Sequence, residues 1–179
     1  NYGELGDLKE IPYLGHNINS ELNFLLVTIR KYKFEINLFL TYKEQFEQCL
    51  LTSDYIQAEL ILDKVENEIC YSLWTLENRF LLKEMSGNAS ENKEFLNHFN
   101  EVNKTESITT SLAHYLSLRA EHSLSTSRYS NDLENALANI PNSKSKRAFQ
   151  NYYRFRLTFL NHIDFKDYAE ILSIDFNHS

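Results

Sequence analysis

Glycine and proline, the residues that most often interrupt helices, are concentrated at the start of this chain. Three of the four glycines and one of the two prolines fall within the first fifteen residues, which leaves Gly87 and Pro141 as the only later ones. Through the rest of the sequence apolar residues recur every three or four positions, as the buried face of an α-helix requires. The sequence therefore predicts an irregular lead-in over residues 1–16 and a single all-α domain over residues 17–179.

The stretch from Asp54 to Lys83 is predicted to form the centre of the fold. Asp54 has a side chain suited to capping a helix, and apolar residues return at helical spacing after it. Residues 70–82 then carry apolar side chains around most of the helical circumference, which is typical of a helix packed on several sides. Trp74 lies in this segment, so we expect it to be buried.

Four helical hairpins are predicted to follow an N-terminal capping helix. The turns within the pairs are short, so the two helices of each pair must run antiparallel. The hairpins are predicted to span residues 34–69, 71–103, 106–140 and 143–176, and the third is expected to turn around residues 127–130. A period of about 35 residues is one at which a chain should be tested for repeats.

One segment carries the packing pattern of a known repeat. A capping residue is followed by large and small residues at fixed spacing: Asp54, Tyr55, Ala58, Leu62 and Val65. This pattern resembles that of the second helix of a tetratricopeptide repeat. Residues 34–69 therefore resemble one such repeat.

The same pattern returns only in part along the chain. One repeat length later Asn92 occupies the position that corresponds to Ala58, and the segment from Asp132 to Ala136 matches the start of the motif again. The resemblance implies stacked antiparallel helical hairpins, an α-solenoid, with a concave binding surface. It implies no particular partner.

Charge and composition disfavour two classes of partner. A net charge of −7 and a pI near 5.4 oppose sequence-independent binding to nucleic acid, which needs a positive surface. No apolar run approaches the ~20 residues of a membrane span, and no signal-peptide pattern opens the sequence. Cys49 and Cys70 lack metal-ligand spacing and are expected to be buried, reduced thiols. These features favour a cytoplasmic protein.

Local motifs for catalysis or cofactor binding are missing from the sequence. None of the six histidines forms an HExxH pair, and neither a phosphate-binding glycine loop nor a GxSxG nucleophile elbow occurs. We therefore expect no enzymatic activity, no metal site and no cofactor.

Three charged residues interrupt apolar stripes on the first helices of successive hairpins. Glu77 belongs to the second hairpin, Arg119 to the third and Arg156 to the fourth. An ionised group on an apolar face is costly unless it is paired, so we expect the three to meet in one polar row. The row is either structural, as an ion pair or a set of rim residues, or it forms part of a ligand or peptide groove.

A second candidate site is basic and aromatic. Arg147, Arg154 and Arg156 alternate with aromatic residues, among them Tyr152, on the predicted helix that begins the last hairpin. Such a mixture can bind phosphates and stack bases. The pattern also fits an aromatic core face beside a solvated basic face, and the acidity of the chain favours that interpretation.

The function that these features predict is a helical-repeat module for protein interaction or scaffolding. We expect it to bind a protein or peptide and to belong to a larger intracellular protein of bacterial type. A ligand-sensing regulatory domain that uses the polar row is the first alternative, and a nucleic-acid-binding helical domain is the second.

Overall fold

The computed structural model describes residues 17–87, 89–102, 108–121, 124–139, 146–158, 167–168, 170–172 and 174. Throughout these ranges the regular secondary structure is helical, which confirms the predicted all-α class. The helices are α1 Ile18–Lys31, α2 Lys33–Leu51, α3 Tyr55–Glu68, α4 Leu73–Ser86, α5 Ala89–Val102, α6 Ile108–Ala120, α7 Thr126–Ala138 and α8 Lys146–Leu157. The predicted lead-in over 1–16 lies outside the described residues.

Side-chain caps fix where four of the helices begin. In each case an oxygen of the residue before the helix accepts a hydrogen bond from a main-chain N–H of the first turn. These capping residues are Asn17 for α1, Asp54 for α3, Ser72 for α4 and Ser125 for α7. Ser53, directly before Asp54, has a φ of 57°, the left-handed conformation that allows α2 to turn tightly into α3.

Hydrogen bonds between helices define how neighbours along the chain are arranged. The Tyr42 hydroxyl in α2 donates to the Glu68 carboxylate at the end of α3 at 2.6 Å, so the end of α3 lies beside the first half of α2. Lys83 in turn reaches Glu59 across α3 and α4 at 2.9 Å. Both helix pairs therefore run antiparallel.

The helix α4 lies at the centre of the described structure. It packs against α3, α5 and α6, and each of its residues from 73 to 85 is buried or partly buried. Leu76 and Phe80 are completely buried. The predicted central position of this helix is confirmed.

Three residues that were expected to be buried are only partly so. Trp74 packs edge-on against Phe39 and Phe46 of α2, at centroid distances of 5.0 and 5.4 Å, but it remains partly accessible to solvent. Its position at the border between α2 and α4 leaves part of the ring uncovered. Cys49 and Cys70 are free thiols of intermediate burial.

The predicted turn at residues 127–130 is wrong. The helix α6 ends at Ala120, and α7 begins after Ser125, whose hydroxyl accepts a hydrogen bond from the main chain of Arg128. Asp132 consequently lies inside α7, where its carboxylate is 3.9 Å from Arg128 one turn earlier. The second match to the repeat motif therefore falls in the middle of a helix, because Ser125 supplies the cap.

Two isoleucines on α3 provide a test of this packing. Ile61 is 2% exposed and Ile56 is 80% exposed. We expect Ile61→Ala to lower the free energy of unfolding by about 2 to 5 kcal/mol, because it leaves a cavity in the core. Ile56→Ala should change it by less than about 0.5 kcal/mol. Urea denaturation measures both, and equal costs would contradict the described burial.

Candidate functional site

The three charged residues of the predicted polar row come together between α4, α6 and α8. Nη2 of Arg119 donates a hydrogen bond to the Glu77 carboxylate, and Nη1 donates to the main-chain carbonyl of Arg156 at 2.9 Å. The contact between Glu77 and Arg119 is therefore present. Arg156 joins the row through its main chain.

The role of Arg119 follows from the position of Arg156 at the end of a helix. The last carbonyls of an α-helix have no partner within the helix, and α8 ends at Leu157. Arg119 binds the Arg156 carbonyl, and the Tyr129 hydroxyl donates to the Leu157 carbonyl at 3.1 Å. A positive charge is also favoured at this end of the helix dipole. Side chains from α6 and α7 thus cap α8.

Burial keeps the second of these caps in its protonated form. The Tyr129 side chain is removed from water, and this burial raises the pKa of Tyr129 to about 12. Its hydroxyl therefore stays protonated, and able to donate, to a higher pH than the hydroxyl of an exposed tyrosine.

The polar row is only partly open to solvent. The Glu77 side chain is 46% exposed, whereas that of Arg119 is 18% exposed. Both terminal nitrogens of Arg119 have acceptors within the protein. The contacts therefore favour the structural interpretation of the row, in which Arg119 joins three helices.

Two of the three arginines of the second candidate site are paired with carboxylates. Arg147 binds Asp167, and Arg154 makes two hydrogen bonds to Glu134 at 2.9 and 2.8 Å. Tyr152 is completely buried, because its face of α8 packs into the core. Tyr152 is therefore covered by the core in this structure, and α8 offers the aromatic core face that was the alternative.

Sequence reasoning missed a larger ion-pair cluster between α3 and α4. Arg79 binds Glu66 at 2.8 Å and also Asp63, while its Nη1 lies 3.7 Å from Glu59. Burial alone would lower the pKa of Arg79, but the hydrogen bonds to Glu66 and Asp63 outweigh it and raise the pKa. The signal was available in the sequence, because the three acidic residues share one face of α3 at helical spacing.

A buried polar contact replaces the small residue of the repeat pattern. Asn92 is completely buried in α5, and its Oδ1 accepts a hydrogen bond from the Ser117 hydroxyl of α6 at 2.8 Å. The Asn92 amide also donates to the Ser117 carbonyl at 3.2 Å. The residue that departs from the Ala58 position therefore links two helices.

The exposed apolar residues are concentrated at one end of the chain. Twelve large hydrophobic side chains are exposed in the described residues, and ten of them lie between residues 22 and 60. The most accessible of these are Ile56, Leu51, Phe34 and Val27. Exposed apolar side chains that are concentrated in one part of a protein indicate an interaction site. The helical periodicity did not reveal it, because it does not tell which faces are covered by other helices.

Metal binding and membrane insertion find no support in the described ranges. No cluster of three or more histidine, cysteine, aspartate or glutamate residues is arranged there to hold a metal ion. None of the helices in those ranges combines the length and the apolar character that crossing a membrane demands.

The polar row predicts unequal costs for its two side chains. Arg119→Ala should lower the free energy of unfolding by about 2 kcal/mol and Glu77→Ala by about 1 kcal/mol, because only Arg119 also caps α8. In the double variant the costs should fall short of their sum by at least about 0.5 kcal/mol. Urea denaturation of the four proteins measures this, with the exposed Arg128→Ala as a near-neutral control. Additive costs would contradict the contact.

The pair of Arg154 and Glu134 predicts a pH effect. The hydrogen bond from Arg154 holds the pKa of Glu134 below its ordinary value of 4.5. The stabilisation is therefore complete above pH 4.5 and is lost as the pH falls through the lower pKa of the folded state. Arg154→Gln should raise the pKa of Glu134 in an NMR titration, whereas Arg128→Gln should not. An unchanged pKa in Arg154→Gln would show that the pair does not form.

Comparison with protein-family models, curated proteins and solved structures finds no match to this chain. Its function is therefore argued from the contacts and surfaces described above.

Proposed function

We propose that this chain is a protein-interaction module of stacked helical hairpins, and that it docks its partner on the exposed apolar surface of α1, α2 and α3. The observation that carries the proposal is the concentration of exposed hydrophobic side chains between residues 22 and 60. Binding of a partner there is favourable because it removes aromatic and aliphatic side chains from water.

Contacts between helices support the stacked arrangement. The helix α2 packs on α3, α4 on α5 and α6 on α7, while α4 also packs on α6 and α6 on α8. A stack of hairpins produces such contacts, because each hairpin packs against the next. Ala58, Leu62 and Val65 are all buried, as the resemblance to a tetratricopeptide repeat requires.

The pairing of charges favours a protein partner over an anion or a nucleic acid. Arg119, Arg147 and Arg154 each bind an acidic side chain of the chain itself, so a phosphate would have to displace a carboxylate to reach them. The apolar surface needs no such exchange. Mixed apolar and polar surface is the composition of protein interfaces.

Substitutions at the apolar surface test the proposal. Phe34 and Ile56 are 77% and 80% exposed, so Phe34→Asp combined with Ile56→Asp should leave the fold intact and abolish partner binding. Val102→Asp, at a residue that is 68% exposed on α5, is the matched control and should bind normally. Proteins retained from native cells by the wild type would be purified, and their affinities for all three proteins would be measured by calorimetry.

The outcome separates two interpretations of the surface. A purified partner that binds the wild type and the control, but binds the double variant at least about tenfold more weakly, would support docking on α1–α3. Equal binding to all three proteins would overturn the proposed location. Circular dichroism would verify that each variant is folded.

A further inference from the structure

A stripe of exposed residues runs along α1 and α2 at alternating steps of four and three positions. All eight residues of this α1–α2 stripe are exposed. They are Leu26, Arg30, Lys33, Asn37, Leu40, Glu44, Glu47 and Leu51. Residues at this spacing lie on one face of a helix, as they do along the contact line of a coiled coil. At the rise of an α-helix, the distance from Leu26 to Leu51 is about 38 Å.

The stripe crosses the junction between α1 and α2 at Tyr32, whose ψ of 27° departs from the helical conformation but which keeps two hydrogen bonds of helical spacing. The Tyr32 N–H donates to the Thr28 carbonyl at 2.9 Å, and the Ile36 N–H donates to the Tyr32 carbonyl at 2.9 Å. Both are hydrogen bonds of the α-helical type. The two helices consequently follow one another closely enough to present one stripe.

Charge is distributed along the stripe in two opposite halves. The basic half contains Arg30 and Lys33, and the acidic half contains Glu44 and Glu47. A second copy turned through 180° presents the same residues in reverse order. The basic half of each copy then faces the acidic half of the other.

From this self-complementarity we infer that two copies of the chain associate through the α1–α2 stripe, antiparallel about a twofold axis between Asn37 and Leu40. Reversal of the stripe about this axis gives every charged residue an oppositely charged partner. The pairs are Leu26 with Leu51, Arg30 with Glu47, Lys33 with Glu44 and Asn37 with Leu40, each formed twice. A twofold interface uses one patch on both copies and closes on itself.

The charge order selects the antiparallel arrangement. A parallel pair would place each charged residue opposite its own copy, and like charges in contact destabilise an interface. The antiparallel pair opposes unlike charges at four places and covers Leu51, which is 79% exposed. Glu47 also lies 3.6 Å from Lys43 on its own helix, so Lys33 and Glu44 provide the simpler test.

Because the contact is narrow and its ion pairs are exposed, we expect a dimer with a dissociation constant in the micromolar range, about 1 to 100 µM. Screening by salt should weaken it. Sedimentation velocity of the full chain over a range of concentrations would measure the constant at low and at high ionic strength.

Charge reversal tests the axis directly. Lys33→Glu and Glu44→Lys should each weaken dimerisation by at least about tenfold, because each turns two attractive contacts into two repulsive ones. The combined variant should restore the wild-type constant, since the exchanged charges again face their opposites. Glu35→Lys, at an exposed residue on the opposite side of α2, is the matched control and should leave the constant unchanged.

Any of three results would overturn the inference. The first is a wild-type chain that stays monomeric up to about 1 mM, a concentration well above the expected dissociation constant. The others are a dimer that the single charge reversals do not weaken and a double reversal that does not restore association. The inference rests on the proposed function, because it assigns one occupant to part of the same apolar surface. Phe34 and Ile56 lie outside the stripe. A monomeric chain would therefore remove the dimer and leave the docking experiment to decide the proposed function.

Discussion

A helix surrounded by other helices can be stable only if each of its polar side chains finds a partner, and α4 meets this condition along its length. Thr75 completes the capping box with Ser72, and the Asn78 side chain bonds the carbonyl of Trp74. Glu77 meets Arg119 on one side, and Arg79 meets the carboxylates of α3 on the other. The same contacts that remove the cost of burying polar groups also attach α3 and α6 to the central helix. Arg119 extends this connection to α8, because it also binds the Arg156 carbonyl.

The sequence indicated the central helix, because a helix that is apolar around most of its circumference must be covered on several sides. Leu76 and Phe80 were expected at the centre of the fold, and Glu77 was expected to pair because it interrupts an apolar face. The position of Arg156 was predicted without its role. A main-chain carbonyl at the end of a helix can accept a hydrogen bond whatever the side chain of its residue is. The residue type therefore gives no sign of this contact in the sequence.

Other features escaped prediction for equally physical reasons. The segment before α7 contains several hydroxyl residues, each able to cap a helix, and only the tertiary structure selects Ser125. Tyr152 and a surface aromatic residue look alike in a sequence that mixes arginine with tyrosine. The exposed face of α1 and α2 is set by which helices are packed nearby, a long-range property that a pattern of local spacing does not contain.

The buried pair of Asn92 and Ser117 restricts how α5 and α6 can move relative to each other. Apolar contacts have no directional requirement, so two helices that meet only through apolar side chains can shift by one turn and still bury them. An amide and a hydroxyl in a dry interior are satisfied at one axial position only, and displacement by a single turn would leave several polar atoms unbonded. This contact therefore fixes the axial alignment of α5 against α6, which apolar contacts alone would not do.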